Sequence, residues 1–389
     1  MTAALFWTCV ALVAYVFVGY PLLVTAWAAV RPRPQRRSRH APTVSVIIAA
    51  YNEAGRIGAR VDNLAGLDYP PDRLEILVGS DGSTDTTAEE ARAHGGGRAR
   101  VVVFPVRRGK PAVINELIAR ARGEIIVLAD VRQRFAPDCL RALVAPFADP
   151  AVGAVSGELM LTDDGAGGAV GRGVGVYWRY EKLIRAAESR IDSTVGATGA
   201  IYAVRRGLVE ALAPDTILDD VVIPLRVAAR GHRVLFEPAA LAFDRPAATA
   251  AEELARKART IAGNFQLFAR ERWTLDPRRN RLWLQTVSHK GLRLATPLLL
   301  AGALGANLGL AGHPFYRATL AAQILFYAAA AAGFALRNRR RRWAALSVPY
   351  VFCLLQWATI VGFARFVSGR QRVTWERAAS AAPMQRRAA

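Results

Sequence analysis

Apolar positions follow two different patterns along this chain. Residues 5–30 carry no charged side chain, a run longer than the roughly 20 apolar residues that cross a bilayer's hydrocarbon core, and they predict a transmembrane helix over residues 1–30. Three further runs, 294–312, 318–336 and 344–364, predict about three membrane helices within 294–366, the first two turning at His313-Pro314. Just before them, Trp283, Leu284, Val287, Lys290 and Arg293 give two-faced spacing, which predicts an amphipathic helix over 282–293 along the membrane surface. A cleaved signal peptide is the competing reading of the first run. Ala26 and Ala28 make a small-x-small pair, but no basic segment precedes the run and its apolar part is too long.

Between residues 42 and 281 the apolar runs shorten to four or five residues and become β-branched: 44–48, 74–78, 101–104 and 125–128. Helix-period stretches separate them. That alternation predicts an α/β domain with a mostly parallel sheet and crossover helices. In open sheets of this kind ligands bind beyond the carboxyl ends of the strands. Tyr51-Asn52-Glu53 follows the first run, Asp81-Gly82-Ser83-Thr84-Asp85 the second, and Asp130-Val131-Arg132 the fourth. Any one of these acids could serve a turn or a helix cap. Three at one sheet edge point instead to a ligand, because like charges converge only where something needs them.

Charge sharpens the division. Of 389 residues 52% are hydrophobic, and 52 Lys and Arg stand against 31 Asp and Glu, a formal net charge of +21. Lysine occurs only at Lys110, Lys182, Lys257 and Lys290, so arginine dominates. The basic residues gather beside apolar runs, in the linker 31–41, at 337–342 and in the tail 367–389. Such placement suits membrane flanks better than a nucleic-acid groove, which would interleave aromatics. The positive-inside tendency puts 31–41 and the following domain in the cytoplasm, as part of a multi-pass protein of the plasma (inner) membrane. Four crossings then leave the basic tail outside, against the same tendency, and the sequence does not settle its side. Cys9, Cys139 and Cys353 follow no metal or disulfide spacing and predict free thiols.

Taken in order, the motifs Val-Ile-Ile-Ala-Ala-Tyr-Asn-Glu at 46–53, Asp-Gly-Ser-Thr-Asp at 81–85, Gly109-Lys110, Ala129-Asp130 ahead of Pro137-Asp138, and Leu218-Asp219-Asp220 resemble membrane-bound glycosyltransferase family 2, the branch with cellulose, hyaluronan and poly-N-acetylglucosamine synthases. The resemblance implies a GT-A-type fold over 42–281, a nucleotide-sugar donor, UDP-linked by that likeness, and inversion at the anomeric carbon. It implies that Ala50, Tyr51 and Glu53 border the base, that Asp81 bonds its ring, and that Lys110 and Asp130 lie at the diphosphate. Asp130 would hold a divalent ion, Mg2+ or Mn2+. Arg132 stands where the family carries a second carboxylate, which weakens that metal expectation; it is read here as a fixed charge near the pyrophosphate or a solvated loop residue. Asp220 would be the general base an acceptor hydroxyl requires, with Asp219 the second candidate. Thr198, Gly199 and Ala200 match the acceptor-side loop. Arg256 and Arg259 match the leaving-group clamp. Thr260 replaces the family's tryptophan, which counts against long-chain synthesis.

Three functions follow. The first is transfer of a sugar to a carbohydrate or lipid-linked acceptor in polysaccharide or glycolipid synthesis, with membrane lipid and a second copy or partner subunit as further partners. The others are single-sugar transfer to polyprenyl phosphate, whose acceptor needs no base, and an inactive membrane scaffold that keeps the fold.

Overall fold

The computed structural model describes residues 1–162, 169–245, 249–336, 344–371 and 374. The basic clusters expected at 337–342 and over most of the tail lie outside the described residues. Along the chain the elements run α1 (Thr2–Ala14), a π-turn (Tyr15–Gly19), α2 (Tyr20–Val30), β1 (Val44–Ala50), α3 (Ile57–Ala65), β2 (Leu74–Asp81), α4 (Thr87–Ala93), β3 (Ala99–Phe104), α5 (Lys110–Arg120), β4 (Ile125–Ala129), β5 (Arg134–Phe135) and α6 (Cys139–Val144). They continue with β6 (Val152–Leu161), α7 (Ala169–Ile191), β7 (Ile201–Arg205), α8 (Asp219–Ala229), β8 (Arg233–Asp244), α9 (Ala250–Arg270), α10 (Trp283–Gln285), a second π-turn (Thr286–Gly291), α11 (Leu292–Gly309), α12 (Pro314–Ala335) and α13 (Ala344–Val367).

These elements form two compact units, one from Arg33–Thr162 and Asp192–Arg245, the other from Met1–Pro32, Asp163–Ile191 and Pro246–Gln371. The division departs from a continuous domain over 42–281, because α7 and α9 fall inside that span yet belong to the second unit.

The first unit is built on one eight-stranded sheet in the order β3-β2-β1-β4-β7-β6-β8-β5. All four strands expected from the sequence are present. β1 pairs in parallel with β2 and β4, and β2 with β3. Beyond β4 the sheet becomes mixed: β7 runs antiparallel to β4 and β6, β8 parallel to β6, and β5 antiparallel to β8. Every residue of β1 and β4 is buried, as expected of strands covered on both faces. The chain steps outward from β1 to β2 and β3, then returns to place β4 on the other side of β1. That reversal opens a crevice at the carboxyl ends of β1 and β4, where ligands of such sheets bind.

The linker 31–41 is more than a charged spacer. Arg233, only 1% exposed, donates from its guanidinium to the carbonyls of Arg33 (3.0 Å), Pro34 (3.2 Å) and Asp192 (3.0 Å). Arg37 pairs with Glu237 at 2.6 Å. The linker is thereby strapped along β8, and one buried arginine spends its donors on backbone carbonyls that a sheet ladder does not reach.

Among the described residues the second unit holds four helical runs long and apolar enough to cross a membrane: Thr2–Val30, Trp283–Gly309, Pro314–Ala335 and Ala345–Val367. The expected turn is present, with His313 capping α12 by accepting from Phe315 N and Pro314 at its start. One expectation needs correction. Residues 282–293 do not form a separate surface helix; α10, the π-turn and α11 make one continuous run, Trp283–Gly309. The basic side chains Lys290 and Arg293 gave the segment a two-faced look, but Arg293 is committed to an ion pair with Glu181.

Candidate active site

The loops after β1 and β2 are stitched together by side chains. Asn52, at a φ of 50°, accepts from Thr84 N (2.8 Å) while its own N–H donates to Ser83 Oγ (3.1 Å). Glu53 N donates to Thr87 Oγ1 (2.8 Å) and Ala54 N to Asp85 Oδ2 (3.1 Å). Ser83, Asp85 and Thr87 thus supply acceptors for the loop of Tyr51, and Thr84 donates to it. Glu53 itself is buried and pairs with Arg56 at 3.4 Å. Over Tyr51 lies the guanidinium of Arg107, 3.7 Å from the ring centroid, a cation–π contact with no signature in the motifs.

Asp81 ends β2 fully buried. Its two oxygens accept the backbone N–H groups of Arg108 (2.6 Å) and Gly109 (2.8 Å). These two bonds fold the 105–109 loop onto the end of β2. Gly82 permits this approach, with a φ of +65° and a position where a Cβ would sit 2.5 Å from Arg107 N.

Through Gly109 the loop delivers Lys110, the first residue of α5. Its Nζ lies 3.0 Å from Asp130 Oδ1 at the end of β4 and 3.4 Å from Asp219 Oδ1 at the start of α8. Burial pushes this ammonium down, but Asp130 and Asp219, with Asp220 beyond, outweigh burial and hold its pKa above the ordinary lysine value. Asp219 is buried, and its second oxygen accepts from the Tyr202 hydroxyl at 3.0 Å. Burial, then Asp219 and Asp220, drive the Tyr202 phenol far up, so it remains a donor.

Asp220 is half-buried. Pro224 sits inside α8 and has no N–H to offer the carbonyl four residues earlier, which is that of Asp220. Ala197 N uses it instead, at 2.7 Å. That bond ties the 196–200 loop to the helix start. Within the loop Thr198 N donates to Ser156 Oγ (2.9 Å), Ala200 is buried, and a Cβ on Gly199 would meet Asp220 Oδ2 at 2.8 Å. Gly199 therefore leaves room for the carboxylate.

The structure brings Lys110, Asp130, Asp219 and Asp220 together, with Asp81 behind them and Thr198, Gly199 and Ala200 alongside. Ala50, buried at the end of β1, and Tyr51 border the same sheet edge. Arg132 follows two residues after Asp130, half-buried. Arg256 and Arg259 stand on α9, in the helical unit. The sequence reading missed Tyr202, Ser156, Arg107 and Pro224, of which only Pro224 left a signal, an imino acid inside a helical pattern.

Among the described residues no group of three His, Cys, Asp or Glu is placed to hold a metal ion. Asp130, whose side chain is 36% exposed, offers one carboxylate beside an ammonium. Such a donor set fits a Mg2+ or Mn2+ ion that takes most of its oxygens from a diphosphate and water. It does not fit an ion caged by protein alone.

A family profile described as Glycosyl transferase family 2 matches residues 45–212. A β-monoglucosyldiacylglycerol synthase of Synechocystis sp. is 34% identical over 148 residues, 35% of this chain and 27% of that protein. An N-acetylglucosaminyltransferase of Rhizobium leguminosarum bv. trifolii is 30% identical over 129 residues, 31% of this chain and 69% of that protein. Among solved structures, a mannosyltransferase of Pyrobaculum calidifontis in complex with GDP-Man and Mn2+ is 26% identical with a TM-score of 0.73, covering 94% of this chain and 99% of that one. Over the first curated relatives the matched part spans from 25% to 53% of their length.

Proposed function

The chain belongs to glycosyltransferase family 2, and from that premise we propose that it transfers a sugar, with inversion, from a nucleoside diphosphate sugar to a hydroxyl of a carbohydrate or lipid-linked acceptor at the plasma membrane. The carrying observation is the unequal state of two neighbouring acids. Asp219 is buried and committed to Tyr202 and Lys110, whereas Asp220 is half-buried beside the small residues of the 196–200 loop. Asp220 is thus the carboxylate suited to take the acceptor's proton.

In this reading the acceptor oxygen attacks the anomeric carbon while its proton passes to Asp220. The bond to the diphosphate oxygen breaks on the opposite face, and the electron pair leaves with the diphosphate. Lys110 and Arg132 bring fixed positive charge to that leaving group. A divalent ion held at Asp130 supplies further charge there when bound. The four membrane-length helices support an acceptor or product at the lipid surface.

The test uses the full chain in detergent with UDP-glucose, UDP-N-acetylglucosamine and GDP-mannose, following nucleoside diphosphate release and the mass and anomeric form of the product. One donor is expected to turn over. UDP is the expected nucleotide, and GDP is the alternative that the Pyrobaculum calidifontis mannosyltransferase makes worth including. Asp220→Asn is expected to lower kcat by about 10²-fold or more and leave donor KM nearly unchanged. Full activity in that variant indicates a phosphate acceptor instead, and no release from any donor above buffer removes the enzymatic reading.

A further inference from the structure

The helical unit buries charged side chains that sugar transfer does not use. His289 stands on the π-turn Thr286–Gly291, with Nδ1 2.8 Å from Glu188 Oε1 and Nε2 2.9 Å from Glu181 Oε2. Both carboxylates belong to α7. Arg293 of α11 pairs with Glu181, and Tyr20 of α2 donates to the same Glu188 oxygen at 2.5 Å. Lys257 of α9 also acts on Glu181. Glu188 is fully buried, and its Oε2 has no hydrogen-bond partner among the described residues.

The other π-turn, Tyr15–Gly19, lies against the one that holds His289. Tyr15 Oη and Ser288 Oγ are 2.8 Å apart, and Tyr180 donates to the Phe17 carbonyl at 3.0 Å. Such inserted turns recur at functional sites because they re-aim side chains within a helix. His289 also lies on a run long and apolar enough to cross a membrane, where ionisable groups are costly unless they have a task.

The geometry around His289 is a statement about protons. A neutral imidazole has one N–H and one lone pair. Here both nitrogens face carboxylate oxygens, so in the neutral ring one lone pair would meet an ionised oxygen. Arg293 and Lys257 both act on Glu181, whereas the fully buried Glu188 meets only Tyr20 and His289 among the described residues, and an uncompensated charge is expensive in a buried place. One bound proton, on the ring or on a carboxyl, resolves both conflicts.

We propose that Glu181, His289 and Glu188 form a proton-binding site inside the helical unit, loaded through neutral pH and emptied when the unit opens. Its consequence follows from linkage: the folded state holds a proton that the unfolded chain, with an ordinary imidazole near pH 6.5, does not hold in mildly alkaline solution. Stability therefore falls as pH rises.

The experiment takes the full chain in detergent, without substrate, and records thermal unfolding from pH 7 to pH 9. The wild type is expected to lose about 5–10 °C in Tm across that range. In Glu188→Gln the amide can donate to a neutral ring, so the loss should shrink to less than half. Equal losses in both overturn the proposal. A second measurement needs no variant: at pH 8, 15N spectra of labelled histidine and carboxyl infrared bands should show one doubly protonated imidazole or one protonated carboxyl. Absence of both overturns the proposal even if the variant does not fold.

Discussion

Lys110 occupies the gap between Asp130 and Asp219, which would repel one another without it. Lys110→Met is expected to reduce kcat/KM by about 10²-fold, with a lower Tm, read by nucleoside diphosphate release and thermal unfolding. The sign of its titration adds a further outcome. A lysine whose folded pKa is raised contributes stability fully below its unfolded value near 10.5 and loses it only as pH climbs through the folded value. The activity profile should accordingly carry no basic limb from Lys110 below about pH 10, checked by initial rates in overlapping buffers. At this scale Lys110, Asp130 and Asp220 were legible because each sits inside a short motif at a strand or helix end. Tyr202 and Ser156 were not. Their partners, Asp219 and Thr198, lie on other elements, and a lone hydroxyl in a strand looks the same whether or not an acid waits opposite.

Elements were readable where periodicity was plain and obscure where packing decided. β1 to β4 fall on the β-branched runs, since parallel strands buried on both faces are continuously apolar. The mixed half of the sheet, β5 to β8, could not be ordered from its sequence, because antiparallel returns such as β7 beside β4 are fixed by long-range pairing. The helix expected over 282–293 failed for a related reason: a charged residue on a buried face counts as surface until its counter-charge, here Glu181, is seen. Arg233 illustrates the same hidden pairing on β8. Arg233→Ala strips three carbonyls of their donor and leaves a void, and should lower Tm by about 5–10 °C with the strap freed. Limited proteolysis near residues 33–37 should accelerate in parallel, and Arg37→Ala, which leaves the buried Glu237 carboxylate without its 2.6 Å cation, should lower Tm as well.

The whole molecule interleaves its two units along one chain, since the helical unit takes Asp163–Ile191 from between two stretches of the sheet unit. In α7, Ile184, Ala187 and Ile191 pack against Tyr20, Val24 and Ala28 of α2. Composition and apolar runs revealed that membrane helices flank the sheet unit, but not that an internal excursion is apportioned to them, because α7 carries charges enough to pass for a soluble helix. Trimming both ends to leave residues 33–245 would keep α7 and delete α2 and α11, stranding an oily stripe and two carboxylates with no histidine or arginine to answer them. Such a fragment should sediment as aggregate on ultracentrifugation, while the intact chain in detergent stays dispersed. The consequence for handling is practical: a water-soluble catalyst cannot be had from this protein with scissors at its ends, and would demand splicing out 163–191 as well.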